Sequence, residues 1–256
     1  MCVILLAHGA HAEYPLILAA NRDEFYERRT ARAAFWADDA DTLAGRDMER
    51  GGTWLGVTRG GRVAAVTNYR EPGVKIADAP SRGHLVSGFL ASDESAEEYL
   101  AKLSERAHLY NGFNLIVGAG GRLHYFSNRG GGPQEIEPGV HGLSNHLLDT
   151  PWPKVERGRK ALSELVEGGS LSIEEVFRIL ADDARAEDDI LPETGVGLEL
   201  ERMLSPLFIE SQVYGTRSST VLLFNRQGEV TFIERTFGRK DGEQGDAHYR
   251  FKIRSQ

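Results

Sequence analysis

The first 25 residues, MCVILLAHGAHAEYPLILAANRDEF, decide the fold. Val3–Ala7 and Leu16–Ala20 are short apolar runs, and the stretch from Gly9 to Pro15 between them has turn composition. Together they predict a buried hairpin. Ahead of the first run stands Cys2, the only cysteine of the chain, directly after Met1. Removal of a methionine before a small side chain would leave a thiol and a free α-amine on one residue. That pairs a nucleophile with its own base, since an α-amine titrates near ~7.7–8.0 and a thiol near ~8.5. The competing reading is a small buried hydrophobe at the head of a strand. Asn21-Arg22-Asp23-Glu24 follows the second run. Four hydrogen-bonding side chains at a strand end suit either a site or a solvated turn. If the hairpin forms, Cys2 and Asp23 come near each other, and the carboxylate can hold the α-ammonium or take part in proton transfer.

Outward from this hairpin, strands are predicted over Thr53–Thr58 and Arg62–Asn68, joined at Gly60-Gly61, with further strands at Asn114–Val117, Leu123–Ser127 and Val140–Ser144. Ser219–Phe224, Val230–Thr236 and Tyr249–Ile253 read as C-terminal strands, the first two joined at Gln227-Gly228 and the last preceded by a Gly-rich polar loop. Helices are predicted over Ser81–Ala91, Ser95–Ala107, Pro153–Val166 and Ile173–Ala181, with a short one at Leu198–Leu204. Ser95 with Glu98 three residues on is a capping box, and Ser172 is an expected cap. The acidic stretch 182–197 reads as loop. Hairpins interleaved with helix pairs indicate an α+β protein of antiparallel sheets covered by helices rather than βαβ units. Two stacked sheets with helices outside satisfy both faces. No repeat or low-complexity linker interrupts residues 1–256, so one domain is expected.

The net charge of −8, from 38 acidic and 30 basic residues, argues against a general nucleic-acid or anionic-membrane binder. A lone cysteine excludes an internal disulfide framework and any Cys-rich zinc site, and fits the reducing cytoplasm. Val3–Ala7 has no preceding Lys or Arg and is shorter than a signal-peptide core, so it reads as a mature strand. No apolar stretch approaches membrane-spanning length, and no integral membrane segment is expected. The eight histidines form no ligand pattern, so neither a metal nor a bound cofactor is expected.

Other polar positions have two readings each. Gly45-Arg46-Asp47 and Gly51-Gly52-Thr53-Trp54-Leu55-Gly56 supply glycines for positive φ or close approach, with Trp54 as core or pocket wall. Asn68 and Asn145 end strands, where asparagine is common, yet an amide there can donate to an oxyanion. Arg217, in Thr-Arg-Ser-Ser-Thr at 216–220, suits a carboxylate partner or a surface ion pair.

Taken in order, Met-Cys at the head of a strand, Asn-Arg-Asp-Glu at 21–24, Gly-Gly-Thr-Trp-Leu-Gly at 51–56, Thr-Asn-Tyr-Arg at 67–70, Gly-Leu-Ser-Asn at 142–145 and Tyr-Gly-Thr-Arg-Ser-Ser-Thr at 214–220 resemble the NRDE family, also called Transport and Golgi Organisation 2. The resemblance covers almost the whole chain. It implies the N-terminal nucleophile hydrolase fold, a four-layer αββα sandwich, with Cys2 as nucleophile after loss of Met1. The chain is more distantly similar to the bile-salt hydrolase and penicillin V acylase branch. By that similarity Asp23, Asn68, Asn145 and Arg217 match site residues. The branch carries Arg-Asn-x-Asp at the end of its second strand. With the aspartates aligned, Ala20 falls where the arginine stands and Arg22 takes the variable position, pointing to the other side if the strand continues.

The resemblance thus implies an amidohydrolase or acyl hydrolase acting on non-peptide C–N or related acyl bonds. Cys2 attacks, its α-amine relays the proton, Asp23 holds the amine, Asn68 and Asn145 bind the oxyanion or substrate, and Arg217 orients the nucleophile. Substrate contacts are assigned to Asn21, Arg22, Glu24, Arg46, Trp54 and Tyr69. The expected partner is a small acyl or amide compound or an apolar ligand. The alternative is a carrier on the same fold for haem, acyl-CoA or lipid, with Cys2, His8 or His11 as axial ligands to haem iron.

Overall fold

The structure, a computed structural model, describes residues 2–238 and 245–254. In chain order the elements are β1 Cys2–His8, β2 Leu16–Phe25, β3 Thr30–Phe35, β4 Thr42–Asp47, β5 Leu55–Thr58, β6 Val63–Asn68, α1 Gly83–Leu90 and α2 Ala96–Arg106. There follow β7 Phe113–Ala119, β8 Arg122–Ser127, β9 Gln134–Glu135, β10 Gly139–Leu143, α3 Pro153–Glu167, α4 Ile173–Leu180, α5 Leu198–Leu204, β11 Tyr214–Phe224, β12 Glu229–Thr236 and β13 Gly245–Lys252. One sheet has the order β10-β1-β2-β11-β12-β13, the other β3-β4-β5-β6-β7-β8-β9, and every pairing is antiparallel.

The period of two along each strand sorts side chains into layers. Ile4, Leu6, Leu18 and Ala20 point between the sheets, where they meet Leu55, Val57, Ala65 and Ile116 of the second sheet. Val3, Leu5, Ile17 and Ala19 point outward and are covered by Leu162, Val166, Val176 and Phe177 of α3 and α4. On the far side α1 and α2 cover the second sheet through Leu85, Phe89, Leu100 and Leu103. Each buried Val, Leu, Ile or Phe among them contributes about 1.5–3 kcal/mol by leaving water. The result is an α+β, four-layer αββα sandwich.

Several expectations change in detail. Asn21-Arg22-Asp23-Glu24 does not follow the second strand but lies within it, because β2 is central and pairs on both sides, with β1 and with β11 from Tyr214 to Phe224. That pairing also starts β11 five residues before the expected Ser219. Three strands, β3, β4 and the two-residue β9, stand where none was expected. The Ala- and Arg-rich sequence of β3 and β4 alternates weakly, and a register shift between Ala31 and Ala34 breaks what pattern there is. The Ser95 capping box forms, with the hydroxyl accepting from the Glu98 N–H, whereas Ser172 makes no side-chain cap. The Gly-rich loop expected before β13 falls largely on residues 239–244, outside the described residues. Among the described residues no helix is long and apolar enough to cross a membrane.

Candidate active site

Cys2 opens β1 on the inward-facing side, and the β1–β2 register sets it directly across from Arg22. Such pairs hold their Cβ atoms about 4.5–5.5 Å apart. Arg22 and Asp23, as neighbours in a strand, take opposite faces, so Arg22 shares the side of Cys2. Arg22 is 5% exposed, and its guanidinium carbon lies 4.2 Å from the centroid of the Trp54 ring. Nη1 of Arg22 is buried with no hydrogen-bond partner among the described residues.

The glycine motifs hold that indole in place. A Cβ on Gly45 would lie 2.2 Å from the Trp54 ring, so the benzo edge of the ring packs on bare backbone. Gly51 has φ +77°, and a Cβ on Gly52 would lie 2.5 Å from the Gly83 carbonyl carbon at the start of α1. One glycine therefore supplies the turn and the next the close approach.

These elements enclose a cleft of about 370 Å³ with Cys2 in its wall. Arg22, Arg28, Arg50, Lys75 and Arg82 bring positive charge to it, and Asp23, Glu24 and Asp47 negative charge. Arg28 is spent on Asp47, at 2.6 Å. Arg82 makes a 2.8 Å bond to the Gly112 carbonyl. The Cys2 thiol is pushed up by burial and by the charge of Asp23, against which the Asp23 N–H and Arg22 act in the thiolate's favour. At neutral pH the resting sulfur is therefore a thiol, and attack requires a base. Burial also pushes the Asp23 carboxyl up, while the N-terminal charge, then Lys154, the Thr216 hydroxyl and Arg22 favour its ionised form. The Thr216 hydroxyl donates to Asp23 Oδ1 at 2.7 Å.

The sequence-derived candidates divide into two groups. Cys2, Arg22, Asp23, Glu24, Trp54 and Asn68 all line the cleft. Asn145 stands behind it, fully buried, donating from Nδ2 to the Asn68 carbonyl at 3.0 Å and accepting the Arg70 N–H at 2.7 Å. It braces Asn68 rather than lining the cleft. Asn21 points to the opposite face of β2 and donates to the carbonyls of Leu180 and Leu207 while accepting from Ser219, so it locks the helical layer and is not part of the cleft lining. Arg217 sits at the bulge between Thr216 and Ser218, and its guanidinium donates to the carbonyls of Phe25 and Arg28 at 2.8 and 3.0 Å. These bonds clamp the β2–β3 turn, and Arg217 is not among the residues that line the cleft. Arg46 pairs with Asp38 on an exposed edge and covers Trp36. Tyr69 stacks on His146, with ring centroids 4.9 Å apart, outside the cleft lining.

Sequence reasoning missed the cations of α1 and α3. Arg82 lies just before α1, and Lys154 is the second residue of α3, 2% exposed. Beside Lys154 runs a buried ion pair, Arg70–Glu201 at 2.6 Å, whose carboxylate also accepts the Thr194 N–H. No local pattern marks these residues. Their meaning comes only from what the fold places around them.

His8 closes the far end of β1, about 20 Å from Cys2 at ~3.3 Å per residue. It borders a separate apolar cleft of about 250 Å³ with Leu16, Val63, Leu123, Phe224 and Ile253. His11 Nδ1 accepts the N–H groups of Glu13 and Tyr14 within the β1–β2 turn. Neither histidine can share an iron with Cys2. Among the described residues no group of three His, Cys, Asp or Glu stands close enough to hold a metal.

The chain matches the model of a family described as Transport and Golgi organisation 2 over residues 1–239. It is 40% identical over 277 residues to the Transport and Golgi organization protein 2 homolog of Homo sapiens, covering 100% of both chains. Among solved structures, a Caenorhabditis elegans N-acylethanolamine-hydrolyzing acid amidase ortholog is similar with a TM-score of 0.53 and 14% identity, over 87% of this chain and 92% of that one. Variant R18L of conjugated bile acid hydrolase from Clostridium perfringens gives a TM-score of 0.53 and 11% identity, over 98% of each chain. At such identities the likeness is one of fold alone, the two-sheet sandwich with helices outside that this chain shares with both.

Proposed function

The chain belongs to the Transport and Golgi organisation 2 family, and we propose that it is an N-terminal-cysteine hydrolase of amide or related acyl bonds. The observation that carries this reading is the seat of Cys2, in the wall of a polar cleft, facing Arg22 and next to Asp23. After loss of Met1 the Cys2 sulfur attacks the acyl carbon, and its proton passes to the Cys2 α-amine. The C–S bond forms, the C–N bond breaks, and the α-ammonium returns the proton to the departing amine. Water then attacks the thioester, giving its proton to the α-amine, and the acid leaves as the thiol is restored. Asp23 holds the α-ammonium between steps. Asn68 and Arg22 face the developing oxyanion, a task worth on the order of 10²–10³-fold per donor.

Of the two ligands expected from sequence, the polar lining supports the small acyl or amide compound over the apolar one. A guanidinium with a buried, unpartnered Nη1 at Arg22, with Arg82 beside it, suits an acyl compound that carries negative charge. The intact mass of the native protein before and after exposure to a panel of acyl amides and thioesters tests the reading. Loss of Met1 and an acyl adduct on Cys2, absent in Cys2→Ala, are expected. Retained Met1 sinks the mechanism, because Cys2 then has no free amine. Ligand held without adduct or turnover favours the carrier alternative.

A further inference from the structure

The cleft around Cys2 gathers more positive charge than the mechanism above uses. Of its three carboxylates, Asp47 and Glu24 face Arg28, at 2.6 and 3.7 Å, and Asp23 accepts from the Thr216 hydroxyl. Among the described residues Arg50, Lys75 and Arg82 pair with no carboxylate, in a chain whose net charge is −8. Arg22, on the same lining, is 5% exposed, and nothing accepts from its Nη1. Cations without partners repel one another, so a lining that collects them is suited to an anion.

Hydrogen bonds and close packing tie these cations to one corner, the start of α1. Arg82 is the residue before the helix, and its Nη1 donates to the Gly112 carbonyl at 2.8 Å. The neighbouring Asn111 accepts the Ile76 N–H at 2.8 Å, which fixes Lys75 beside the same segment. The Arg50 carbonyl lies 2.7 Å from Nε2 of His84, in the first turn of α1. Gly52 packs on Gly83, and the Thr53 N–H donates to the Gly83 carbonyl at 3.3 Å. Arg50 from the β4–β5 loop thus meets Lys75 and Arg82 from the β6–α1 loop. The helix start is itself open. It has no side-chain cap and no acidic residue in its first turn, and among the described residues nothing accepts from the amides of Arg82 and Gly83. Free amides at a helix start carry partial positive charge.

We propose that this corner is a phosphate subsite, formed by Arg50, Lys75, Arg82 and the first amides of α1, and that the substrate of Cys2 is a phosphorylated acyl compound. The second half rests on the hydrolase reading, the first does not. A carboxylate offers two acceptor oxygens and one charge, whereas a phosphate monoester offers three oxygens and nearly two charges. Three cations and two free amides match the phosphate. Arg22, directly across from Cys2, stays with the reacting carbonyl.

Calorimetric titration of the Cys2→Ala protein reads binding without turnover. The probes are 3-acetamidopropyl phosphate, the alcohol 3-acetamidopropan-1-ol, the carboxylate 4-acetamidobutanoate and inorganic phosphate. The phosphate ester should bind at least about 10-fold more tightly than the alcohol or the carboxylate, the scale of one charge-assisted hydrogen bond. Arg50→Gln with Lys75→Gln, both at exposed positions, should erase that advantage without lowering Tm. Ester affinity equal to that of the alcohol, or unchanged in the double variant, overturns the subsite. Ester and carboxylate bound alike overturns phosphate as its ligand. Inorganic phosphate bound as tightly as the ester makes the site one for free phosphate and overturns the substrate assignment. Turnover by the N-terminally processed protein separates the two readings. A kcat/KM for the ester at least about 10-fold above that for the alcohol, lost in the double variant, supports both. Hydrolysis of ester and alcohol at one rate leaves the hydrolase standing and overturns the substrate assignment. An ester held through Arg50 and Lys75 but never hydrolysed keeps the subsite and removes the hydrolase.

Discussion

Lys154 gives the stability of this protein a pH dependence that one substitution should erase. Burial depresses its ammonium to about 8, from an ordinary 10.5. Between those values the unfolded chain carries a proton on this amine that the folded chain lacks. Unfolding then takes up a proton, so stability must rise with pH across the window. The gap of about 2.5 units, at about 1.4 kcal/mol per unit, gives up to ~3 kcal/mol. Below about pH 8 the amine is charged in both states and the burden is constant. Lys154→Met keeps the length of the side chain and removes the titration. Urea unfolding at half-unit steps from pH 7 to 10.5, under reducing conditions, yields ΔG for both proteins. Tyrosines and other lysines titrate in each and cancel in the difference. Wild type minus variant should climb by about 3 kcal/mol from pH 8 to 10.5. A difference flat to within about 0.5 kcal/mol would refute the burial argument. A falling difference would mean that the carboxylates around Lys154 outweigh desolvation and hold the amine above its ordinary range.

Arg22→Leu removes the cation facing Cys2 and should lift the thiol further; one unit lowers the thiolate fraction tenfold, so alkylation by iodoacetamide near pH 7.5 should slow by about 10-fold. An unchanged rate would detach Arg22 from the nucleophile. Asn21→Ala strands two buried carbonyls and the Ser219 hydroxyl, and should cost about 2–4 kcal/mol in urea unfolding while leaving Cys2 alkylation as it was. Slower alkylation at full stability would instead put Asn21 in the site. Gly52→Ala drives a methyl against the Gly83 backbone and should lower stability by about 1–3 kcal/mol, read as a fall in Tm; a neutral result would show that α1 is free to shift.

Much of the architecture was legible because it depends on local periodicity. Val3–Ala7 and Leu16–Ala20 alternate between two buried layers, and a chain that is apolar on both strand faces can only be central in a sandwich. The Ser95 capping box is equally local, and it forms as expected. The misses are non-local. Nothing in Thr30–Phe35 or Thr42–Asp47 favours a strand until the neighbouring β5 edge is there to pair with. Arg217 looks like a site residue until the bulge beside it turns its guanidinium onto the backbone of the β2–β3 turn. Lys154 looks like the solvated lysine of a helix start until the fold buries it.

Register decides what composition left open at the site itself. Alignment on Asp23 put alanine at position 20, where the bile-salt hydrolase branch has arginine, and that reads as a lost catalytic cation. Alternation corrects the inference: residues 20, 22 and 24 share one face of β2, and the β1–β2 pairing sets Ile4 across from Ala20 and Cys2 across from Arg22. Ala20 therefore packs in the apolar inter-sheet layer, where a guanidinium would be buried among Ile4, Leu18 and Leu222. Arg22, one pair nearer the cleft, supplies a cation to the same face and lies directly opposite the sulfur. A two-residue displacement along a strand keeps the facing and moves the charge by about 6.6 Å. The loss at position 20 and the gain at position 22 are thus one rearrangement, and the double change Ala20→Arg with Arg22→Ala asks whether the position of the charge or only its presence matters. If presence suffices, Cys2 alkylation recovers in that protein relative to Arg22→Ala alone. If the apolar layer rejects the arginine, stability falls by the several kcal/mol of an uncompensated buried charge and the thiol stays unreactive.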